Sequence, residues 1–127
     1  MGTWVWVAIV LIGLMAAGDV FILRGYRRWL QAQMDRVQAE GHVVQTAHGP
    51  VQYDLRGDGP LVLQFHGGNG GHNGWFMLEH LVEGGFTVLT PDRPGYLGTP
   101  LADNGAPAQQ ADLFAALLDT LDIESVT

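Results

Sequence analysis

The sequence predicts an α/β fold set behind one long apolar N-terminal helix, and three observations carry that expectation. Twenty residues from Trp4 to Leu23 hold a single charge, Asp19. From His42 onward, short apolar runs bounded by glycine and proline are joined by two segments of helical periodicity. Their order is strand, strand, strand, helix, strand, helix and the first step of another strand, which calls for one sheet with helices packed on it.

The apolar segment comes first. At about 1.5 Å per residue, WVWVAIVLIGLMAAGDVFIL spans about 30 Å, the depth of a bilayer's hydrocarbon layer. Three readings fit it. As a transmembrane anchor it carries Trp4 and Trp6 at one interface and Arg24, Arg27 and Arg28 at the other. The positive-inside tendency then places the N-terminus outside and the rest of the chain in the cytoplasm. As a signal peptide it offers Ala16-Ala17-Gly18 for cleavage before Asp19, with secretion as the outcome, but no basic residue precedes the apolar run. A buried core helix is the third reading. The anchor is preferred, with the bilayer as partner through Trp4–Leu23 and Asp19 reaching the interface or Arg24.

YRRWLQAQMDRVQAEG follows as a helical stalk. Tyr26, Trp29, Leu30, Met34 and Val37 recur at helical spacing, and Gly41 is placed to cap the end. The expected organisation is anchor 1–25, stalk 26–40 and domain 41–127. Within the domain, HVVQTAHG and PVQYDLRGDG predict a hairpin at a sheet edge, with turns at His48-Gly49-Pro50 and Gly57-Asp58-Gly59-Pro60. LVLQF (Leu61–Phe65) predicts a more buried third strand. WFMLEHLVEGG predicts a helix closing on Gly84-Gly85, and FTVLTPD a fourth strand ending at Pro91. RPGYLGTPLADNG reads as a loop. In APAQQADLFAALLDTLDI, the residues Ala111, Phe114, Ala115, Leu117, Leu118 and Leu121 form one apolar stripe. ESVT looks like the start of a fifth strand.

Composition excludes several function classes. The formal net charge is −7, with six arginines and no lysine, so nucleic acid is not an expected partner. Cysteine is absent, which removes disulfides, thiolate metal sites and a cysteine nucleophile. The five histidines are too scattered for a metal site, and no metal or cofactor is expected.

LVLQFHGGNGGHNGW is the stretch that asks for a chemical explanation. After His66, glycine fills five of eight positions. Such a loop costs conformational entropy to order. A phosphate cradle of P-loop type needs a lysine that this chain lacks. A dinucleotide loop fits in part: Gly68-x-Gly70 supplies two glycines and Asp92 lies about twenty residues on, but Asn73 stands at the third glycine position. An oxyanion hole needs backbone N–H groups that point into a site with no side chain in the way, and glycines after a strand meet that need. A plain connection is the fourth reading.

VLQFHGGNGG, then FTVLTPDRPGYLGTP, then the helix AQQADLFAALLDTLDI together resemble the N-terminal part of an α/β-hydrolase fold protein, over about Gly41 to Thr127. The resemblance implies a fold class: α/β, an N-terminal transmembrane helix and stalk, then the first half of a hydrolase sheet with about four strands and two helices. It implies serine-nucleophile hydrolysis of an ester, amide or related bond. His66-Gly67-Gly68 matches the family's oxyanion loop. The implied donor is the Gly68 N–H, with His66 holding the loop rather than acting as base. Asp92, Arg93, Pro94, Gly95 and Tyr96 match the loop after the fourth strand, where Asp92, Arg93 and Gly95 support the loop. Tyr96 and Trp75 are candidates for a substrate pocket or for plain packing.

The family's strand series leads next into a G-x-S-x-G nucleophile elbow, which this chain does not contain. Its one serine, Ser125, has no glycine beside it. Triad acid and base follow the nucleophile in chain order in this fold, so His42, His48, His72 and His80 do not supply them. The expectation is therefore a fragment, inactive by itself, with the LVLQF strand left as an open edge. Residues 41–127 alone are expected to bind a hydrophobic dye and aggregate. The alternatives are a non-catalytic small membrane protein derived from a hydrolase and a nucleotide-binding α/β domain.

Overall fold

The computed structural model describes residues 2–126. They fall into two compact units that divide between Arg36 and Val37. The first lies within one helix, whose last turn, from Val37, belongs to the second unit. Helix α1 (Thr3–Glu40) runs 38 residues without a break through both the anchor and the stalk segments, and none of its residues is buried. Its most apolar window has a mean hydropathy of 2.4, so it is long and apolar enough to cross a membrane. Past that window the helix is held by local pairs. The Tyr26 and Trp29 rings lie 6.0 Å apart, and the Gln31 amide donates to Asp35 at 2.8 Å. Such i,i+3 and i,i+4 pairs are what an exposed helix has available.

The second unit is built on a four-stranded sheet of order β1-β2-β4-β3. Strands β1 (His42–Thr46) and β2 (Gly49–Arg56) form the hairpin. Its turn falls at residues 47–48, tighter than the expected His48-Gly49-Pro50. The Thr46 hydroxyl explains this: it accepts from the His48 N–H at 3.2 Å and donates to the Gly49 carbonyl at 2.7 Å. Gly49 leaves the turn at φ +122°, which a side chain would oppose.

Strand β4 (Thr87–Pro91) is central, antiparallel to β2 and parallel to β3 (Leu61–Leu63). All five residues of β4 are buried, whereas β3 is only half-buried and pairs with β4 alone among the described residues. The ladder of β3 is shorter than the LVLQF run, although the Gln64 N–H still donates to the Leu89 carbonyl at 2.9 Å.

Helix α3 (Pro107–Thr120) covers one face of this sheet. Pro107 presets its first turn, and the Gln109 side chain accepts the Ala106 N–H at 2.9 Å. The core consists of Val51, Leu89, Leu113, Phe114 and Leu117, flanked by Val44, Tyr53, Leu61 and Leu63. The buried face of α3 is Leu113, Phe114, Ala116 and Leu117, while Ala111 and Ala115 of the expected stripe stay exposed. The segment is apolar on more than one side, so the sheet, not the periodicity, selects the buried stripe.

The opposite face is covered by a 3₁₀ segment, His72–Leu78, followed by the short helix α2 (Glu79–Glu83). These replace the single helix expected over 75–85. The Gly74 N–H bonds to the Gly71 carbonyl at 2.9 Å, the tighter i→i+3 spacing. The Gln64 amide ties the segment down by donating to the Gly74 carbonyl at 3.1 Å.

Residues 124–126 are not a strand, and Thr127 lies outside the described residues. α3 ends first: Asp122 takes φ +54°, and the Ile123 N–H returns to the Leu118 carbonyl at 3.0 Å.

Candidate functional site

The glycine loop leaves the carboxyl end of β3 beside the carboxyl end of the parallel strand β4. This is where open α/β sheets place their ligands. Its anchor is His66, which is 3% exposed. The Arg93 N–H donates to His66 Nε2 at 3.0 Å. That ring nitrogen is therefore the acceptor, and Nδ1 carries the hydrogen that it donates to the Gly67 carbonyl at 2.7 Å. Tyr96 stands edge-on to the His66 ring at 4.8 Å, and its hydroxyl donates to the Gly68 carbonyl at 3.0 Å. Gly95 reaches this arrangement at φ +89°. The structure thus brings His66, Gly67, Gly68, Arg93, Gly95 and Tyr96 together.

The glycines of the loop have two different explanations. A Cβ on Gly70 would lie 2.8 Å from the His66 Cβ, and one on Gly71 would lie 2.8 Å from Leu97 and 3.1 Å from Asp92. Those two are glycine because the chain packs against itself. Gly67 and Gly68 are not so constrained. Their nearest neighbours would be at 3.8 and 3.9 Å, and neither has a left-handed φ. The Gly68 N–H has no hydrogen-bond acceptor among the described residues. Its carbonyl is held, its N–H is free and the space beside it is open.

Behind the loop lies a buried pair that the sequence did not suggest. His72 and Asp92 are both fully buried. The Asp92 carboxylate accepts the His72 backbone N–H through Oδ1 at 2.5 Å and bonds Nδ1 through Oδ2 at 2.8 Å. His72 Nε2 lies 2.9 Å from the Val37 carbonyl, in the last turn of α1. Burial is the largest single influence on the His72 ring and pulls its pKa down. The hydrogen bond and charge of Asp92, the Val37 carbonyl and the charge of Asp54 together outweigh it, so the pKa stands above the ordinary 6.5. A histidine beside a glycine turn and an aspartate closing the next strand were visible in the sequence, but nothing there paired them.

The same end of the sheet holds a polar cluster around Gln52, 1% exposed. Its side chain accepts from the Gly98 N–H at 2.8 Å and donates to the Gln38 carbonyl at 2.6 Å, and its N–H donates to the Thr99 hydroxyl at 2.9 Å. No buried side-chain nitrogen or oxygen among the described residues lacks a partner.

Trp75 lies elsewhere. Its ring sits under the Arg56 guanidinium at 4.9 Å, and Arg56 pairs with Val88 near the start of β4. The structure does not place Trp75 with Tyr96. Arg56 also holds Asp54 through two bonds of 2.9 Å. A dinucleotide reading of Asp92 does not fit either. Both carboxylate oxygens are engaged by His72, and the group has no surface to offer a ribose. Among the described residues there is no cluster of three metal-ligating side chains.

No family model matches the chain. An uncharacterized hydrolase of Bacillus subtilis, YcgS, is 36% identical over 78 residues, which cover 61% of this chain and 28% of that protein. A second from the same organism, YraK, is 32% identical over 60 residues, covering 47% and 22%. Among solved structures, an alpha/beta hydrolase fold protein from Nakamurella multipartita is 44% identical with a TM-score of 0.64. It matches 67% of this chain and 30% of its own length. An epoxide hydrolase from an endophytic Streptomyces is 27% identical with a TM-score of 0.60, covering 68% and 28%. The chain spans at most 30% of the length of each of these relatives.

Proposed function

We propose, from the premise that this chain carries part of an α/β-hydrolase fold, that it is the N-terminal part of a membrane-anchored hydrolase. In this reading the Gly68 N–H is one donor of an oxyanion hole. Helix α1 is the anchor through Trp4–Leu23, with the N-terminus outside and the sheet unit in the cytoplasm. The bond cleaved is an ester, amide or related acyl bond, attacked by a serine on a nucleophile elbow supplied beyond residue 127.

One observation supports the oxyanion role most directly. Gly67 and Gly68 are glycines that neither backbone conformation nor packing requires, and the Gly68 N–H is unpartnered beside open space. Its neighbours fix it without blocking it, since the contacts of His66 and Tyr96 go to the loop carbonyls. When an acyl carbonyl becomes tetrahedral its oxygen gains negative charge, and a prepositioned N–H stabilises that charge. Loss of one such donor costs about 2.7–4 kcal/mol of barrier. If the substrate is an epoxide, a nucleophile's new bond to a ring carbon replaces the carbon–oxygen bond, and the same N–H donates to the oxygen released. The Streptomyces relative gives that second substrate class an observation of its own. Tyr96, half-buried beside Gly68, and Trp75 are the pocket candidates.

The test uses the natural protein in the membranes of cells that make it. Fluorophosphonate labelling and turnover of a short-chain nitrophenyl ester are expected, both abolished by heat. Hydrolysis of styrene oxide without labelling shifts the substrate to an epoxide. A protein that takes no label and hydrolyses neither substrate is the non-catalytic membrane species, and the proposal fails.

A further inference from the structure

Helix α1 ends at Glu40, so the Val37 and Gln38 carbonyls are among the four that have no partner within the helix. They also carry its negative pole. Both carbonyls lie in the second unit, which begins at Val37, and two buried side chains of that same unit receive them. The Gln52 amide donates to Gln38 at 2.6 Å, and the His72 ring reaches Val37 at 2.9 Å. The residue that follows has to be small. A Cβ on Gly41 would lie 2.7 Å from His72 Nε2 and 2.9 Å from Gln52 Nε2.

His72 has acceptors on both sides. A carbonyl oxygen offers only lone pairs, and an ionised carboxylate offers only lone pairs. Neutral imidazole has one N–H and satisfies one of them, so the second bond needs a second ring proton. An aspartate gives up its proton at a pH well below that of histidine, so the extra proton belongs to the ring. The charged groups facing the ring are Asp92 at the end of β4 and Asp54 on β2, the latter shared with Arg56. From α1 it meets a backbone carbonyl, and beside it on β2 stands neutral Gln52.

We infer that His72 is a positioning residue that acts as a proton-dependent clamp. As an imidazolium it holds the last turn of α1 against the exit of the glycine loop, and on losing one proton it releases that turn. The released bond is the one to Val37. The N–H facing Asp92 stays, because a hydrogen bond to a carboxylate is the stronger of the two. The clamp is continuous with the loop. Asp92 is followed by Arg93, whose N–H holds His66, and His66 holds the Gly67 carbonyl. The clamp stands whether or not Gly68 is an oxyanion donor. Only its catalytic consequence, a set loop position, rests on that reading.

The test is nitrogen-15 NMR and amide hydrogen exchange on the full chain in lipid nanodiscs. At pH 6 both ring nitrogens of His72 are expected to be protonated. As the ring loses a proton, protection factors of the amides of residues 37–41 fall about tenfold or more, the size expected for a lost hydrogen bond to a charged group. Those of β2 and β4 stay constant. His72→Gln is expected to remove the step while leaving the β4 amides protected. A ring with a single protonated nitrogen at pH 6 overturns the inference. So does protection at residues 37–41 that ignores the ring's titration, a result the wild-type chain gives without any variant.

Discussion

Gly68→Ala and Gly70→Ala are expected to have opposite effects on stability, although the two residues sit two apart in one loop. At Gly70 the new methyl carbon would lie 2.8 Å from the His66 Cβ. Carbon contacts are most favourable at about 3.5–4.0 Å, and this neighbour is close to the backbone and cannot swing away. Overpacking of that kind costs about 1–3 kcal/mol. At Gly68 the new carbon would meet nothing nearer than the Tyr96 hydroxyl at 3.9 Å. Because φ there is not left-handed, alanine chiefly narrows the unfolded ensemble and gains about 0.4–1 kcal/mol. Thermal unfolding of the sheet unit in the full chain, followed by circular dichroism, reads the difference at about 4–8 °C per kcal/mol for a unit of this size. Hydrolysis by the natural protein is expected to run the other way, with Gly68→Ala losing kcat/KM because its methyl occupies the space beside the N–H. Equal destabilisation by the two substitutions would refute the claim that Gly68 is glycine for a reason other than packing.

Leu117→Ala removes a fully buried side chain from the core between α3 and the sheet and should cost about 2–5 kcal/mol, read from urea denaturation. Gly59→Ala drives a carbon into the Gly85 carbonyl oxygen. It should cost at least the ~3 kcal/mol top of the usual overpacking range and lower expression of folded chain. His72 binds its proton more tightly in the folded chain than in the unfolded one. Its contribution is therefore complete below about pH 6.5 and is lost as pH rises through the raised native value. Urea midpoints should fall across that interval in the wild type, and His72→Gln should flatten the fall. A dinucleotide should leave the melting temperature unchanged, since the Asp92 carboxylate is closed off by His72. A rise of several degrees would revive the nucleotide-binding reading.

Local rules reached far into this chain. A twenty-residue run with one charge can only be a long apolar helix, and it is one. The hairpin, the placement of β4 up to Pro91 and the start of α3 at Pro107 follow from turn residues and alternation that act over a few positions. The family resemblance was also legible, because the His-Gly-Gly and Asp-Arg-Pro-Gly-Tyr loops recur in order after successive strands. What the sequence left open depends on partners far apart in the chain. Which stripe of α3 is buried was decided by the sheet beneath it, since Ala111 to Leu118 is apolar on several sides. The division of the glycines into those that pack and those that leave space required the positions of His66, Leu97 and Asp92. That the Arg56 guanidinium lies over the Trp75 ring depended on where the 3₁₀ segment carries that residue. The His72–Asp92 pair, twenty residues apart, and its reach back over thirty-five residues to Val37 exist only once the strands, the loop and the end of α1 converge. Burial then makes an unmatched proton costly, and that cost is a property of the folded chain alone.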